Sequence, residues 1–548
     1  MSQAEHEVDF IAVGSGAGAL SAAISAHDAG LRPLILEKSS MLGGVTALSL
    51  GEVWFPTNHV GRDVLGVEDT REEAKAYLDF LSAGYADPEL QSVFLDTAPE
   101  VCRNLGERAG VRWRPVTNMP DYYYGVAPGT VAHGRMLDVD PFRGDQLGPW
   151  QSATRTSPHA PLGVTHDELW EWGGMASMRN WDFALLGERA TNDMRTFGPG
   201  LAAYLVKAAV VDRGIEARVD ARVDRLIREN GRVVGVEAEI DGQRTTIRSR
   251  RGVLLAVGGY DWNPKMARYF EQLPEWLTAV PPSVEGDHLV MAGEIGAAVA
   301  FISPVNNANI FGYHIPGEEY EDKPLWRFSF EFGLPHSIVV NRQGKRIGDE
   351  SFYRDWQPKV RQLDGVTQTY PNERMYLIAD TSFRNRYPLG TTPPGERLPE
   401  GFAVEADTIE GLAKELDIDP AQLAATVARF NDGARNGEDP EFGRGTRPWT
   451  KRMFGDTQLG EQAVLAPVET GPYYGVELRL LSSGINGAGL RFNRHAQVLS
   501  VRDEPIEGLY VAGNSAAMLD IGAGYQSGIA NARGLVWGHI AAQHAANS

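Results

Sequence analysis

The chain carries one cysteine, Cys102, in 548 residues. A single thiol excludes an internal disulfide framework, a CxxCH haem attachment and a cysteine-ligated iron–sulfur cluster within the chain. No metal site is expected. Positive charge is also scarce: 52 Lys and Arg stand against 72 Asp and Glu, a net charge of −20. A surface of that sign repels phosphate backbones, so nucleic acid is not an expected partner. No long window is free of charge, so no transmembrane segment is expected. The opening MSQAEHEVDF lacks the basic and apolar regions of a signal peptide, and a cytoplasmic location is the expectation. No internal repeat or low-complexity tract is evident.

Glycine is plentiful, at 61 residues. It costs backbone entropy, so it concentrates where a tight turn or a close approach requires it. The first such place is near the start. Val8 to Val13 (VDFIAV) is a short apolar run that reads as a buried parallel strand. Gly14, Gly16, Ala17 and Gly18 follow, then the small-residue helix LSAAISAHDAG ending at Gly30, then a second strand from Pro33 to Glu37. In this context Gly14 permits the turn, and Gly16 lets the backbone approach a pyrophosphate. Gly18 or Ala19 lets helix and strand pack closely. Free N–H groups at the helix N-terminus attract the diphosphate, and Glu37 can accept hydrogen bonds from a ribose hydroxyl. The unit therefore binds a dinucleotide.

Which dinucleotide is decided further on. Glu37 is followed by Lys38 and Ser39, by the pair Gly43-Gly44, and by Thr46 and Ala47. A second glycine pair just after the ribose-binding acid is typical of proteins whose chain continues along the extended FAD molecule. Near the other end, EGLYVAGN is a strand running into Gly513-Asn514. FAD is thus the expected cofactor. Val223, Gly258, Asp287 and Ile529 complete the candidate cofactor contacts.

Between these motifs, residues 70–110 have helical spacing, and 115–195 are irregular and rich in Pro, Gly, Trp and Tyr. Residues 217–247 alternate like a hairpin that turns at Glu229-Asn230-Gly231. Residues 252–257 form another buried strand, closed by Gly258-Gly259. From about 300 the character changes. SIVVNRQGKRI reads as a hairpin and 420–436 as a helix. GPYYGVELRLL and EGLYVAGN return to strand, and IANARGLVWGHIAAQHA is a final helix. The expected fold is α/β. A Rossmann-like FAD-binding domain is built from both chain ends (1–300 and 465–548), with an inserted α+β catalytic or cap domain at 301–464.

The chain resembles the flavoprotein family of fumarate reductase and 3-ketosteroid dehydrogenase. The resemblance spans nearly the whole chain and is carried by VGSGAGALSAA, LEKSSMLGGVTALSLG, LLAVGGYDWN, EGDHLVMAGEIGA, VVNRQGKRIGDES and EGLYVAGN. The ketosteroid branch matches best through Pro120-Asp121-Tyr122-Tyr123-Tyr124, Pro128-Gly129 and Gly134-Arg135. That branch implies oxidation of a carbon–carbon bond beside a carbonyl. A hydride goes to flavin N5, and a tyrosine takes a proton from the neighbouring carbon. It implies either Tyr122 or Tyr123 as an active-site tyrosine, and the Gly528 N–H as a donor to the substrate carbonyl.

Two positions depart from the branch. Arg354-Asp355 stands where it has tyrosine then Asp. Gly524 stands where a tyrosine is expected, with Tyr525 one residue later. Arg354 reads three ways: a carboxylate clamp, a proton donor as in fumarate reductases, or a structural ion pair. Ser482 to Gly487 lacks the histidine of the fumarate branch. No histidine lies between Glu37 and Ser49 to carry a covalent flavin, His59 being nearest. The leading expectation is a dehydrogenase of an apolar cyclic ketone, served by a separate electron acceptor or donor. The alternatives are an ene-reductase using Arg354 as proton donor, and a protein holding FAD as a structural or sensing element.

Overall fold

The computed structural model describes residues 6–159, 163–302, 309–460 and 463–548. The first five residues of the opening segment, and 303–308 and 461–462 at the margins of the expected insert, lie outside the described residues.

The run at 8–13 is apolar because it is buried on both faces: Phe10, Ile11 and Ala12 have no exposed surface. This strand, His6–Val13, pairs in parallel with Pro33–Leu36 on one side and with the end of Gln243–Leu255 on the other. Glu216–Arg218 extends the sheet beyond Pro33–Leu36, and Pro505–Val511 extends it beyond Gln243–Leu255. Gln497–Leu499 and a hairpin of Ala221–Glu229 with Arg232–Ile240 complete eight strands. The hairpin turns where the sequence places it. The sequence reading separates 217–247 from the strand at 252–257. In the fold, Gln243–Leu255 is one continuous strand. Its first half pairs antiparallel with the hairpin, and its second half joins the parallel core.

Both chain ends build this layer. The helix Ala17–Asp28 packs on the last helix, Ile529–Asn547, through positions that tolerate no side chain: a Cβ at Gly538 would lie 2.2 Å from the Gly18 carbonyl oxygen. The Ser21 hydroxyl donates to the Leu535 carbonyl at 2.7 Å. The α/β fold with FAD-binding architecture is therefore as expected.

A second, seven-stranded sheet contains Asn309–Tyr320, Lys323–Phe328, Ser337–Asn341, Arg374–Asp380 and Tyr473–Ser482. Alternation sorts its side chains. Ile338, Val340, Tyr376 and Ile378 pack under the helices Ile409–Glu415 and Pro420–Arg435. Val339, Met375, Leu377, Val476 and Leu478 face an aromatic cluster that includes Tyr122, Tyr353 and Trp449.

Two local expectations are corrected. SIVVNRQGKRI is not a hairpin. Ser337–Asn341 turns at Gly344 but pairs with Arg374–Asp380, because its apolar residues find their partners there. Tyr473–Ser482, beyond the expected boundary at 464, is a strand of this second sheet. Its alternation does not reveal which sheet it joins.

Candidate active site

One cavity runs from the glycine turn to the aromatic cluster. At the first end the backbone forms the wall. Gly14 has φ +102°, and a Cβ there would lie 2.3 Å from the Ala256 carbonyl oxygen, so only glycine fits. Gly16 caps the helix without a side-chain bond, leaving N–H groups of the first turn at the cavity. Thr46 Oγ1 accepts the Ala17 N–H at 3.0 Å. Gly513, with φ +62°, and Asn514 close the wall from the chain's other end.

Glu37 is oriented by three donors: Ser15 Oγ at 2.6 Å, Ser39 N at 2.8 Å and Ser39 Oγ at 2.9 Å. A carboxylate accepts about four hydrogen bonds, so room is left for a ribose hydroxyl. Lys38 pairs with Glu285 and, at 2.8 Å, with Asp287.

Of the cofactor residues expected from the sequence, thirteen line this cavity: Gly14, Gly16, Ala17, Gly18, Glu37, Lys38, Gly44, Thr46, Val223, Gly258, Asp287, Gly513 and Asn514. The other four stand behind the wall. Ser39 holds Glu37, and the Gly43 N–H donates to Ser15 Oγ at 3.0 Å. Ala47 is packed with Ala202, and Ile529 is buried at the head of the last helix. A cradle of glycine backbone, a helix N-terminus and an oriented acid fits the ADP part of FAD.

At the far end the wall is made of side chains. The Tyr122 and Tyr353 hydroxyls lie 2.9 Å apart. The Tyr525 ring stands 6.3 Å from that of Tyr122, and all three rings line the cavity with Gly528. Gly528 has φ +83°, and a Cβ on it would strike the Trp54 nitrogen at 2.7 Å. Gln526 Oε1 fixes the Tyr122 backbone N–H at 2.9 Å and the Tyr77 hydroxyl at 2.6 Å.

Burial raises the pKa of all three cavity tyrosines. For Tyr122, the neighbouring Tyr353 and Tyr525 and then Glu52 add to burial, and Ser527 partly offsets them. For Tyr353, the Arg354 charge and the bond to Tyr122 work against burial. For Tyr525, Arg354 and Ser527 do so.

Two expected residues lie elsewhere. The Tyr123 ring packs edge-on against Phe80 and Phe352 and does not line the cavity. Arg354 does not line it either. Its guanidinium lies 5.6 Å from both the Tyr353 and Tyr525 ring centres and donates to Gln357 Oε1 at 2.7 Å. The sequence reading missed Tyr353, which stands one residue before Arg354. Both residues sit in the same short helix, and only the fold shows which of the two side chains enters the cavity. It also missed Glu52, which lines the cavity next to Gly51 and whose partners come from distant segments.

Residues 9–528 match the FAD binding domain family. The chain belongs to this family and is an FAD-dependent oxidoreductase acting on CH–CH bonds. Among its relatives is a 4-oxocyclohexanecarboxylate 2-dehydrogenase of Sinomonas cyclohexanicum, 34% identical over 92% of this chain and 87% of the relative. A 3-oxosteroid 1-dehydrogenase of Mycobacterium tuberculosis is 30% identical over 99% of this chain and 98% of its own. A solved 3-ketosteroid Δ1-dehydrogenase from Sterolibacterium denitrificans, in complex with 1,4-androstadiene-3,17-dione, superposes with a TM-score of 0.90. It is 29% identical and covers 99% of this chain and 100% of that one. Among the described residues, no helix is long and apolar enough to cross a membrane.

Proposed function

We propose that the chain dehydrogenates an uncharged, largely apolar cyclic ketone at the carbon–carbon bond beside its carbonyl. The observation that carries this reading is the hydrogen-bonded Tyr122–Tyr353 pair, facing Tyr525 and Gly528 across the cavity that continues into the FAD cradle. Bound FAD supplies the two-electron chemistry by accepting a hydride. The chain's own residues handle the proton and the carbonyl. Tyr353 is the base: its hydroxyl lines the cavity 2.9 Å from that of Tyr122, to which it can pass a proton, and the Arg354 charge partly offsets the effect of burial on it. Tyr525 and the Gly528 N–H donate to the carbonyl oxygen, stabilising the enolate as the neighbouring C–H proton leaves. Arg354 acts through the tyrosines, which weighs against its use as a proton donor to an unsaturated acid.

The lining argues for a neutral substrate. Met119, Phe330, Phe332, Trp449, Met453 and Phe454 surround the tyrosine end. The cations lining the cavity are Lys38, already paired near Glu37, and His159, whose pKa burial pushes down to about 4 so that it is neutral. Burying a carboxylate there without a partner is costly.

Anaerobic titration of the yellow protein tests the reading at the flavin band. The probes are 4-androstene-3,17-dione, 4-oxocyclohexanecarboxylate and its methyl ester, and acrylate. Bleaching by the neutral ketones, with the ester ahead of the acid by about tenfold or more in kcat/KM, is expected. Reoxidation of reduced flavin by acrylate, without bleaching by any ketone, would replace this reading with the ene-reductase. No response to any probe would leave FAD in a structural or sensing role.

A further inference from the structure

Behind the tyrosines lies a file of ionisable groups that the reaction above does not use. Ser527, which lines the same cavity wall as Tyr122 and Tyr525, donates to Glu52 Oε2. The other Glu52 oxygen is 3.2 Å from His166 Nε2, and His166 Nδ1 is 2.8 Å from Asp138 Oδ2. Glu52, His166 and Asp138 are 6%, 4% and 2% exposed. Three ionisable groups withdrawn from water cost several kcal/mol even when paired, and apolar residues of similar size fill space more favourably. The surroundings are also specifically shaped. Phe197 takes a left-handed φ of +52° and sets its ring edge-on to His166 at 4.5 Å. Gly51 admits that backbone, since a Cβ on it would lie 2.1 Å from the Phe197 carbonyl carbon. The Asn531 side chain ties down the Glu52 carbonyl at 3.0 Å.

We propose that Glu52 is the terminal proton acceptor of the tyrosine cluster, reached through Ser527 and held in place by His166, which Asp138 orients in turn. The inference rests on the dehydrogenase reading. As the C–H bond beside the carbonyl breaks, its electron pair passes into the enolate and its proton goes to the Tyr353 oxygen. The Tyr353 proton moves to the Tyr122 oxygen, that of Tyr122 to Ser527, and that of Ser527 to Glu52 Oε2. One bond forms for each that breaks, and no oxidant is needed for this half of the chemistry. The relay explains how phenols whose burial opposes ionisation still take up a proton. The groups facing Glu52 are His166, Ser527 and the three tyrosines, with Asp138 beyond the imidazole.

The test separates proton from hydride chemistry. Holoenzyme is reduced anaerobically, and exchange of the protons beside the carbonyls of 4-androstene-3,17-dione is followed in D2O by NMR. The bleaching rate is measured in parallel with oxidised holoenzyme. Wild type is expected to exchange. Glu52→Gln, still yellow, is expected to slow exchange by about 100-fold or more, and Glu52→Asp to restore part of it. In His166→Gln, removal of the cation moves the acid limb of the exchange–pH profile to higher pH, a displacement that a packing role would not produce. Glu52→Gln exchanging within about threefold of wild type, or wild type that bleaches without exchanging, overturns the relay alone. Wild type that neither bleaches nor exchanges overturns the dehydrogenase reading and the relay with it.

Discussion

The two ends of the cavity are made of different material. At the glycine turn the wall is main chain, and consecutive residues build it: 14–18 form one side and 43–46 the next. At the tyrosine end the wall is side chain, and its members come from residues 52, 122, 353 and 525–528. A site made of backbone tolerates almost no substitution at its turns, and the segments that build it leave their mark locally in the sequence. A site made of side chains depends on the packing of four separate segments, and each member can change while the others stay.

The contrast can be broken or sharpened by substitution. The largest effect is expected at the backbone end. Gly14→Val places a branched side chain against the Ala256 carbonyl at a φ of +102°. It is expected to give protein with essentially no flavin, measured as the flavin-to-protein absorbance ratio. Flavin retained at the wild-type ratio would sink the cradle assignment. At the side-chain end the flavin should stay while turnover goes. Tyr353→Phe is expected to lower kcat by about 100-fold or more with an unchanged absorbance ratio.

His166 comes next. Burial alone would depress its pKa, but Asp138 and then Glu52 outweigh burial and hold it up to about 10. A folded-state pKa above the unfolded value near 6.5 gives stability that is full below pH 6.5 and lost as pH rises through about 10. His166→Gln should therefore cost about 3–5 kcal/mol at pH 6. The difference from wild type should shrink steadily toward pH 10, read by urea unfolding at each pH. A difference that grows with pH would show the imidazole buried neutral. Arg354→Met removes the charge that favours the Tyr353 and Tyr525 phenolates. It should lower kcat about tenfold and move the optimum to higher pH, seen in the pH–rate profile. Tyr123→Phe is expected to do least, staying within about twofold, since its ring packs outside the cavity.

The same difference decided what could be read from the amino-acid string. The strand at 8–13, the turn at 14–18, Glu37 and the distant Gly513-Asn514 were legible because each requirement is local. A positive φ or a close backbone approach leaves a glycine in a fixed place. Gly528 was named through the family resemblance alone. Arg354 carried the right neighbourhood but the wrong residue, because the phenol that meets Tyr122 is Tyr353, and only the fold shows which side chain turns inward. Glu52 and His166 left no signal at all. An acid after Gly51 and a histidine in an irregular stretch look like surface residues until the chain brings them within 3.2 Å.

The packing of Gly18 against Gly538 has a consequence for how the protein is made. The two helices that meet there are joined by a bond between residues 514 positions apart. At ribosomal speeds the first helix is out of the tunnel for roughly half a minute to two minutes before its partner exists. During that interval the nucleotide motif is complete in sequence but lacks one wall. Flavin uptake by nascent chains is therefore expected only after residues 529–547 have emerged and packed on the first helix.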